Sequence, residues 1–312
     1  MRFTPVHVSF GWRSQFALLA VIWGSSFLFI KVLDRHWPAL WVAFTRIALG
    51  TLVIVALVHV RRERLPRDGR LWLHCAVAGA LVSAIPWTLF AYGEKHTSSI
   101  VAGLWNATTP LWALAVTLVG FGDDRTTLAR GAGLMLGFLG VAFLLGPWRG
   151  LGGGQLLGHL ACAGAAVCYG IGFHYTRRNL SWREHSGIVI SACELICATL
   201  MLAALIPFSG LPGSHIRLDE VGSLIGLGAF SSGVAFALNF AIIRARGATV
   251  AATVTYVIPV VSTALGAAVL GEQLHWNQPV GALVLLLGIA VSQGRLMTRA
   301  LPARAHPERA GS

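Results

Sequence analysis

The chain has 312 residues, of which 55% are hydrophobic and only 12% are charged, and its formal net charge is +12. Because soluble domains carry about 25% charged residues, this composition predicts an integral membrane protein. The arginines fall in short loops between long apolar segments, so the positive charge does not indicate nucleic-acid binding. The five cysteines lie in apolar segments and form no CxxC pair. We therefore expect neither a disulfide framework nor a metal site, and no cofactor.

Ten segments approach the length of a membrane-spanning helix, which needs about 20 predominantly apolar residues. The first is too long for the apolar core of a signal peptide, so we expect it to stay in the mature protein. The last is followed by a tail, residues 297–312, that we expect to be disordered and cytoplasmic. The predicted spans are Ser14–Val32, Pro38–Val60, Leu71–Tyr92, Ser99–Gly120, Leu128–Gly146, Gly154–Tyr175, Gly187–Phe208, Val221–Ile243, Ala248–Leu270 and Pro279–Leu296.

Lysine and arginine residues predict the orientation of these spans, because cytoplasmic loops carry an excess of both. The two termini and the loops after even-numbered spans, counted together with Arg130 and Arg295 at the adjoining span ends, contain 18 of the 24, whereas the loops after odd-numbered spans, counted with Lys31, contain 5. The remaining one is Arg46, inside the second span. We therefore expect both termini in the cytoplasm and the protein in the plasma (inner) membrane.

An internal repeat divides the chain into two halves of five spans, residues 1–149 and 150–296. A shift of 149 residues aligns an ordered series of positions without a gap, including Pro110 with Pro259. Since five is an odd number, the second half must lie in the membrane upside down relative to the first. The sequence thus predicts an all-α membrane protein with ten transmembrane helices arranged as a 5+5 inverted repeat.

Each half places one proline near the middle of its fourth span. Pro110 lies eleven residues beyond Ser99, which is ~16 Å along a helix and close to the midplane of the bilayer. Proline has no amide hydrogen, so the carbonyls of Asn106 and Thr255, four residues before Pro110 and Pro259, lose their helical partners. Such carbonyls are tolerated in a membrane where they line a cavity. The alternative is a packing kink in which a nearby Ser or Thr satisfies the carbonyl.

Four short motifs lie in order along the chain: WGSSFLFIKVL in span 1, Arg46-Ile-Ala in span 2, Thr97-Ser-Ser through Pro110-Leu, and Ala248 through Pro259 to Gly271-Glu272. In this order they resemble the EamA type of the drug/metabolite transporter superfamily over essentially the whole chain. The resemblance implies a ten-helix transporter of small organic solutes, with a central cavity lined by both halves. The first half departs from the pattern, because it reads Gly122-Asp123-Asp124-Arg125 instead of Gly-Glu, and we assign that position no transport role.

Aromatic and polar residues at helical spacing within the spans are the candidates for lining this cavity. Aromatic rings can stack on a flat solute or face an ammonium group. The alternative for each is packing against neighbouring helices or lipid. The candidates are Trp23, Ser26, Trp87, Trp105, Asn106, Thr109, Tyr169, Phe236, Asn239, Thr255 and Tyr256, with Pro110 and Pro259 as helix breaks.

Arg46 and Glu194 are the most deeply placed ionisable residues, and the repeat relates them by 148 residues. A difference of roughly 8 Å in depth disfavours a direct ion pair between them. Arg46 could instead bond to carbonyls at a helix end, and Glu194 is a candidate proton-coupling site. For Glu94, near the end of span 3, we expect the side chain to extend to water rather than guard the outer mouth.

These observations favour a secondary transporter that exports small amphipathic or aromatic metabolites such as amino acids by alternating access around a midplane cavity. A multidrug or sugar transporter of the same fold is one alternative, and a non-transporting structural or receptor membrane protein is another. An enzyme is not expected, because the cluster of Cys193, Glu194 and Cys197 has no His in the same span to serve as a base. Without a Walker motif ATP is not the direct energy source, so protons are a candidate coupling ion. The expected partners are a small solute and the lipid bilayer.

Overall fold

The structure is a computed structural model that describes residues 11–117, 128–146, 148, 153–180, 185–213, 217–247, 250–251 and 253–292. The regular elements in these ranges are all helical, and each predicted span corresponds to one helix. The predicted ends of spans 4 and 10, the start of span 9, the Asp123 segment and the tail 297–312 lie outside the described residues. The helices are α1 Trp12–Leu33, α2 Ala39–Val60, α3 Gly69–His96, α4 Ser99–Val116, α5 Leu128–Leu145, α6 Gly153–Asn179, α7 Gly187–Phe208, α8 Leu218–Arg246, α9 Thr253–Leu270 and α10 Asn277–Ser292.

The first nine of these helices are long and apolar enough to cross a membrane, judged by length and composition. The tenth is apolar but has 16 residues in the described part of the chain, and its predicted span continues to Leu296. Large apolar side chains such as Leu52, Leu139 and Val260 are exposed on the outside of the bundle. In a membrane protein this exposed apolar surface faces lipid rather than water.

The contact between α5 and α10 shows how the two halves are related. A Cβ atom built on Gly140 would lie 2.8 Å from the carbonyl oxygen of Gly281, and one on Gly133 would lie 2.6 Å from that of Gly288. The helices are therefore antiparallel and touch backbone to backbone. With a one-residue slip relative to the proline pair, a shift of 148 residues exchanges Gly133 with Gly281 and Gly140 with Gly288, so each contact maps onto the other. This two-fold pseudo-symmetry is what an inverted repeat produces.

Two further features obey the same pseudo-symmetry. The hydroxyls of Thr51 in α2 and Thr199 in α7 are 2.9 Å apart and are separated by 148 residues. The helices α3 and α8 each contain a π-helical turn, at Ala80–Ala84 and Gly226–Val234, and the repeat places the first within the second. Because π-turns are rare and frequent at functional sites, their pairing marks equivalent parts of the two halves.

Both α4 and α9 are interrupted beside their prolines. In α4 the α-helix stops at Asn106 and resumes at Thr109. The Thr109 hydroxyl donates to the Asn106 carbonyl oxygen at 2.8 Å, so the carbonyl freed by Pro110 is satisfied by a neighbouring hydroxyl. In α9 a 3-10 turn at Thr253–Tyr256 precedes the α-helical part. Each half thus carries a short non-α segment inside the bundle.

Candidate functional site

A cavity of about 350 Å³ lies inside the bundle, bounded by α1, α2, α3, α4, α6, α8 and α9. Its volume is near the lower end of the ~300–1,000 Å³ typical of small-molecule pockets. Both halves of the chain contribute to its wall. Nine of the eleven residues predicted to line a cavity surround it: Trp23, Ser26, Trp87, Asn106, Thr109, Tyr169, Phe236, Asn239 and Thr255.

The two helix breaks bring polar groups to the cavity from both halves. Asn106 and Thr109, on either side of the α4 turn, line it, and so does Thr255 from the 3-10 turn of α9. Pro110 and Pro259 are not part of the wall themselves. The prolines therefore affect the cavity wall only through the helix breaks beside them.

The rest of the wall is largely aromatic and internally packed. Phe90 meets Phe27 edge to face, with ring centroids 5.7 Å apart. Tyr169 stacks on Phe173 at 5.5 Å with an interplanar angle of 7°. The indole Nε1 of Trp87 donates to the Tyr169 hydroxyl at 2.7 Å. These contacts hold the rings in fixed orientations, so the cavity presents preformed flat apolar surfaces.

Arg46, from α2, is a charged residue in this wall. Its side chain is buried, and the guanidinium carbon lies 3.8 Å from the centroid of the Trp87 ring. Arg46 Nε donates to the Ser232 hydroxyl at 3.1 Å, and that hydroxyl donates to the Leu227 carbonyl at 3.2 Å. The π-turn of α8 therefore holds the arginine, where a helix-end carbonyl was the expected partner.

Glu194, the symmetry counterpart of Arg46, does not line the cavity. It is 9% exposed and its backbone carbonyl contacts Gly79 in α3. Within the described residues Arg46 and Glu194 form no ion pair, in agreement with their difference in depth. The proton-coupling role of Glu194 stays a prediction.

Trp105 and Tyr256 are the two candidates that the structure does not bring to the cavity. Trp105 is 4% exposed, and its Nε1 donates to His159 Nδ1 at 3.0 Å. The α4 helix turns just after this residue, so Trp105 faces α6 while Asn106 faces the cavity. Tyr256 is partly buried against a hydrophobic cluster that includes Val254 and Ile258.

Several apolar wall residues were absent from the predicted set. Phe27 and Ile30 follow Trp23 by four and seven residues, and Phe173 follows Tyr169 by four. These spacings place each on the same helix face as a residue that was predicted. The helical spacing therefore pointed to these residues, but aliphatic and phenyl side chains are too common in a membrane helix for spacing alone to single them out.

A charged cluster lies at one end of α1 and α3, one turn beyond Phe90. Lys31 Nζ donates to the backbone carbonyls of Glu94 and Thr97 and ion-pairs with Asp34 at 3.6 Å. Burial raises the pKa of the Asp34 carboxyl, and nearby Lys31 opposes that shift. Glu94 is fully buried, so the prediction that it extends to water is wrong. Neither of its carboxylate oxygens has a hydrogen-bond partner among the described residues.

A second, more polar cavity of about 360 Å³ lies near the start of α4. Glu272, which follows α9, accepts hydrogen bonds there from the Ser99 and Ile100 amides at 2.8 and 3.1 Å. It thereby caps α4 across the boundary between the halves. In the described part of the chain no group of three His, Cys, Asp or Glu residues could hold a metal ion. The other polar wall residues include His96, Gln155, His159, His275 and Gln278.

Comparison with known proteins agrees with the duplicated architecture. The sequence model of the EamA-like transporter family matches the chain twice, over residues 12–146 and 156–293. The chain belongs to the EamA-like transporter family. Membership makes it a membrane transporter and not an enzyme.

Named relatives of this EamA-like transporter are similar over nearly their whole length. It is 27% identical over 322 residues to the uncharacterized inner membrane transporter YedA of Escherichia coli (strain K12), covering 97% of this chain and 96% of YedA. It is 22% identical over 273 residues to the uncharacterized transporter YoaV of Bacillus subtilis (strain 168), covering 87% and 92%. A solved structure titled "Crystal structure of protein" shares the fold with a TM-score of 0.64 at 21% identity, covering 92% of this chain and 98% of the solved chain.

Proposed function

We propose that this EamA-like transporter is a secondary transporter that exports small amphipathic or aromatic metabolites, amino acids among them, by alternating access around the cavity. The observation that carries the proposal is the cavity itself, which combines aromatic walls with polar groups supplied by the helix breaks of both halves. Binding between inverted repeats lets one site be exposed to either side of a membrane as the halves rock. A cavity of about 350 Å³ lies near the lower end of small-molecule pockets, so it fits a compact solute better than a bulky one.

The proposed topology places both termini in the cytoplasm, as the excess of 18 over 5 basic residues favours. Single cysteines introduced at exposed positions report the sidedness. Arg64→Cys, between α2 and α3, should react with an impermeant maleimide only from the cytoplasmic side. Trp276→Cys, just before α10, should react only from outside. Labelling of both from one side would contradict this topology.

Proton coupling is part of the proposal, with the Glu94 carboxyl as the proton carrier. The residue is fully buried and its carboxyl oxygens have no donor within the described residues. An ionised carboxylate there would lose its hydration and gain no hydrogen-bond donor in exchange, a loss that costs several kcal/mol. The charged groups around it are Lys31, Asp34, Arg46 and Glu272. We propose that Glu94 holds a proton in this conformation and releases it when the site opens to water.

Transport by purified protein in proteoliposomes tests the function. Uptake and efflux of labelled amino acids, a sugar and a cationic dye would be measured with and without an imposed pH gradient. The proposal expects saturable flux of one or more amphipathic or aromatic amino acids, accelerated by the gradient. If none of these solutes is transported, the proposal is refuted.

A substitution at Glu94 separates coupling from transport. Glu94→Gln keeps the size and hydrogen-bonding capacity of a protonated carboxyl but cannot release a proton. It should retain solute exchange between identical solutions while losing accumulation driven by the pH gradient. The matched control is Glu63→Gln on the α2–α3 loop, where Glu63 is half-buried and accepts a hydrogen bond from Ser186, outside the cavity wall; it should keep both activities. Normal gradient-driven accumulation by Glu94→Gln would remove Glu94 from the coupling mechanism.

A further inference from the structure

We infer that Arg46 binds the carboxylate of the transported solute, so that the solutes of this protein are small monocarboxylates with an apolar or aromatic body. The inference rests on the proposed function, because it concerns the same cavity. It assigns a specific chemical class to the solute and a specific residue to its recognition.

Charge balance is the first argument. Arg46 is the one charged side chain among the described residues of the cavity wall, and it is 8% exposed. Within the described residues no carboxylate lies at ion-pair distance from it. A buried cation without an anionic partner is costly in a membrane-spanning helix. An anion that occupies the cavity would supply the missing partner.

The orientation of the guanidinium is the second argument. Its Nε is already occupied by Ser232, and one face of the plane rests on Trp87. Neither terminal nitrogen has a hydrogen bond to a described residue. Ser232 in turn is held by its hydrogen bond to the Leu227 carbonyl, so the guanidinium group is held in place before a solute binds. A fixed guanidinium edge matches the two oxygens of a carboxylate in bidentate fashion.

The single positive charge and the rest of the wall narrow the solute further. A phosphate monoester carries about two negative charges at pH 7, which one arginine would leave partly uncompensated in a mostly apolar cavity. A carboxylate is neutralised one to one. The stacked rings of Tyr169 and Phe173, with Phe90 tilted against Tyr169, offer apolar surface to the remainder of the solute. Amide and hydroxyl groups of Asn106 and Thr255 are available for a polar substituent such as an ammonium group.

The test uses three probes of one shape that differ in charge: L-phenylalanine, 3-phenylpropionate and 2-phenylethylamine. Their dissociation constants would be measured with the purified full-length protein in nanodiscs, and their transport in proteoliposomes. The wild type should bind L-phenylalanine and 3-phenylpropionate at least ~10-fold more tightly than 2-phenylethylamine, since hydrogen bonds to charged groups are worth roughly that factor or more.

Variants of the arginine give the decisive comparison. Arg46→Gln should weaken both carboxylate probes by about 10- to 100-fold and leave 2-phenylethylamine unchanged or tighter. Arg46→Lys keeps the charge but not the fork, so its loss should be smaller; it also tests the inference if Arg46→Gln does not fold. Arg246→Gln is the matched control, because Arg246 also stacks on a tryptophan, Trp12 at 4.9 Å, but outside the cavity. It should bind all three probes as the wild type does.

The outcomes separate this inference from the transport proposal. Two results would refute the role of Arg46 in carboxylate binding. One is equal affinity of the wild type for probes with and without a carboxylate, and the other is tight binding of the carboxylate probes by both Arg46→Gln and Arg46→Lys. If 2-phenylethylamine alone binds and is transported, the cavity carries a solute but Arg46 does not select it. If none of the three probes binds, the role of Arg46 in carboxylate binding is also refuted. The wider solute panel in proteoliposomes would then test the transport proposal by itself.

Discussion

The glycine contact between α5 and α10 makes the inverted repeat testable through stability. A Cβ added at Gly140 would lie 2.5 Å from the backbone nitrogen of Leu285 and 2.8 Å from the carbonyl oxygen of Gly281. Ordinary Cβ contacts begin at about 3.4 Å, so Gly140→Ala must push the helices apart by roughly 1 Å, because neither obstructing atom can rotate away. Overpacking of this kind typically costs about 1–3 kcal/mol.

A second glycine of the same helix is the matched control. Gly131 has nothing within 4 Å of a built Cβ, so Gly131→Ala should gain up to about 1 kcal/mol from helix propensity. Gly140→Ala has the same gain but pays the clash, which leaves it roughly 1–3 kcal/mol less stable than Gly131→Ala. Since 1 kcal/mol shifts the melting temperature by roughly 2–4 °C in domains of about 150–250 residues, the two variants should differ by about a degree to several degrees.

The pseudo-symmetry adds a requirement on the other half. Gly288→Ala would clash with the backbone of Gly137 at 2.5 Å, so it should lower the melting temperature in detergent by about as much as Gly140→Ala. Thermal unfolding followed by intrinsic fluorescence measures all three variants. The described contact between the halves is incorrect if Gly140→Ala and Gly131→Ala have the same melting temperature. It is also incorrect if only one of Gly140→Ala and Gly288→Ala is destabilised.

Two further predictions concern the helix ends and breaks. Glu272→Ala removes the acceptor of the α4 amides and should lower stability by about 2 kcal/mol, whereas Gln273→Ala beside it should be neutral; equal melting temperatures would contradict the cap. Pro110→Ala and Pro259→Ala restore an amide donor to α4 and α9, so both should keep or gain thermal stability yet lose transport. Normal flux in both proline variants would reduce the breaks to packing kinks.

Much of the helical framework could be predicted because bilayer thickness sets helix length. The predicted span Gly187–Phe208 coincides with α7, and the other spans differ from their helices mainly at the ends. The breaks could also be located, since a proline removes a particular hydrogen bond. Thr51 and Thr199 are separated by the same 148 residues that relate Arg46 to Glu194, and their hydroxyls lie within hydrogen-bonding distance.

Side-chain partners that depend on helix rotation could not be predicted. Trp105 and Asn106 are neighbours in sequence, but a helix turns about 100° per residue, and only the packed structure directs one to His159 and the other to the cavity. The hydrogen bond from Arg46 to Ser232 joins the two halves, and it depends on a π-turn that could not be predicted from the sequence. The burial of Glu94 likewise follows from how α1 and α3 pack.

A solute that crosses the membrane through the cavity needs the open space beside the α4 break, so a side chain that fills this space should stop transport. Asn106→Trp places a large side chain in the space beside the α4 break, whereas Leu139→Trp adds the same bulk on an exposed face of α5. Counterflow of the best panel solute would be measured in proteoliposomes that contain equal amounts of folded protein. We expect no counterflow by Asn106→Trp and normal counterflow by Leu139→Trp. Normal counterflow by Asn106→Trp would show that the solute does not pass through the cavity.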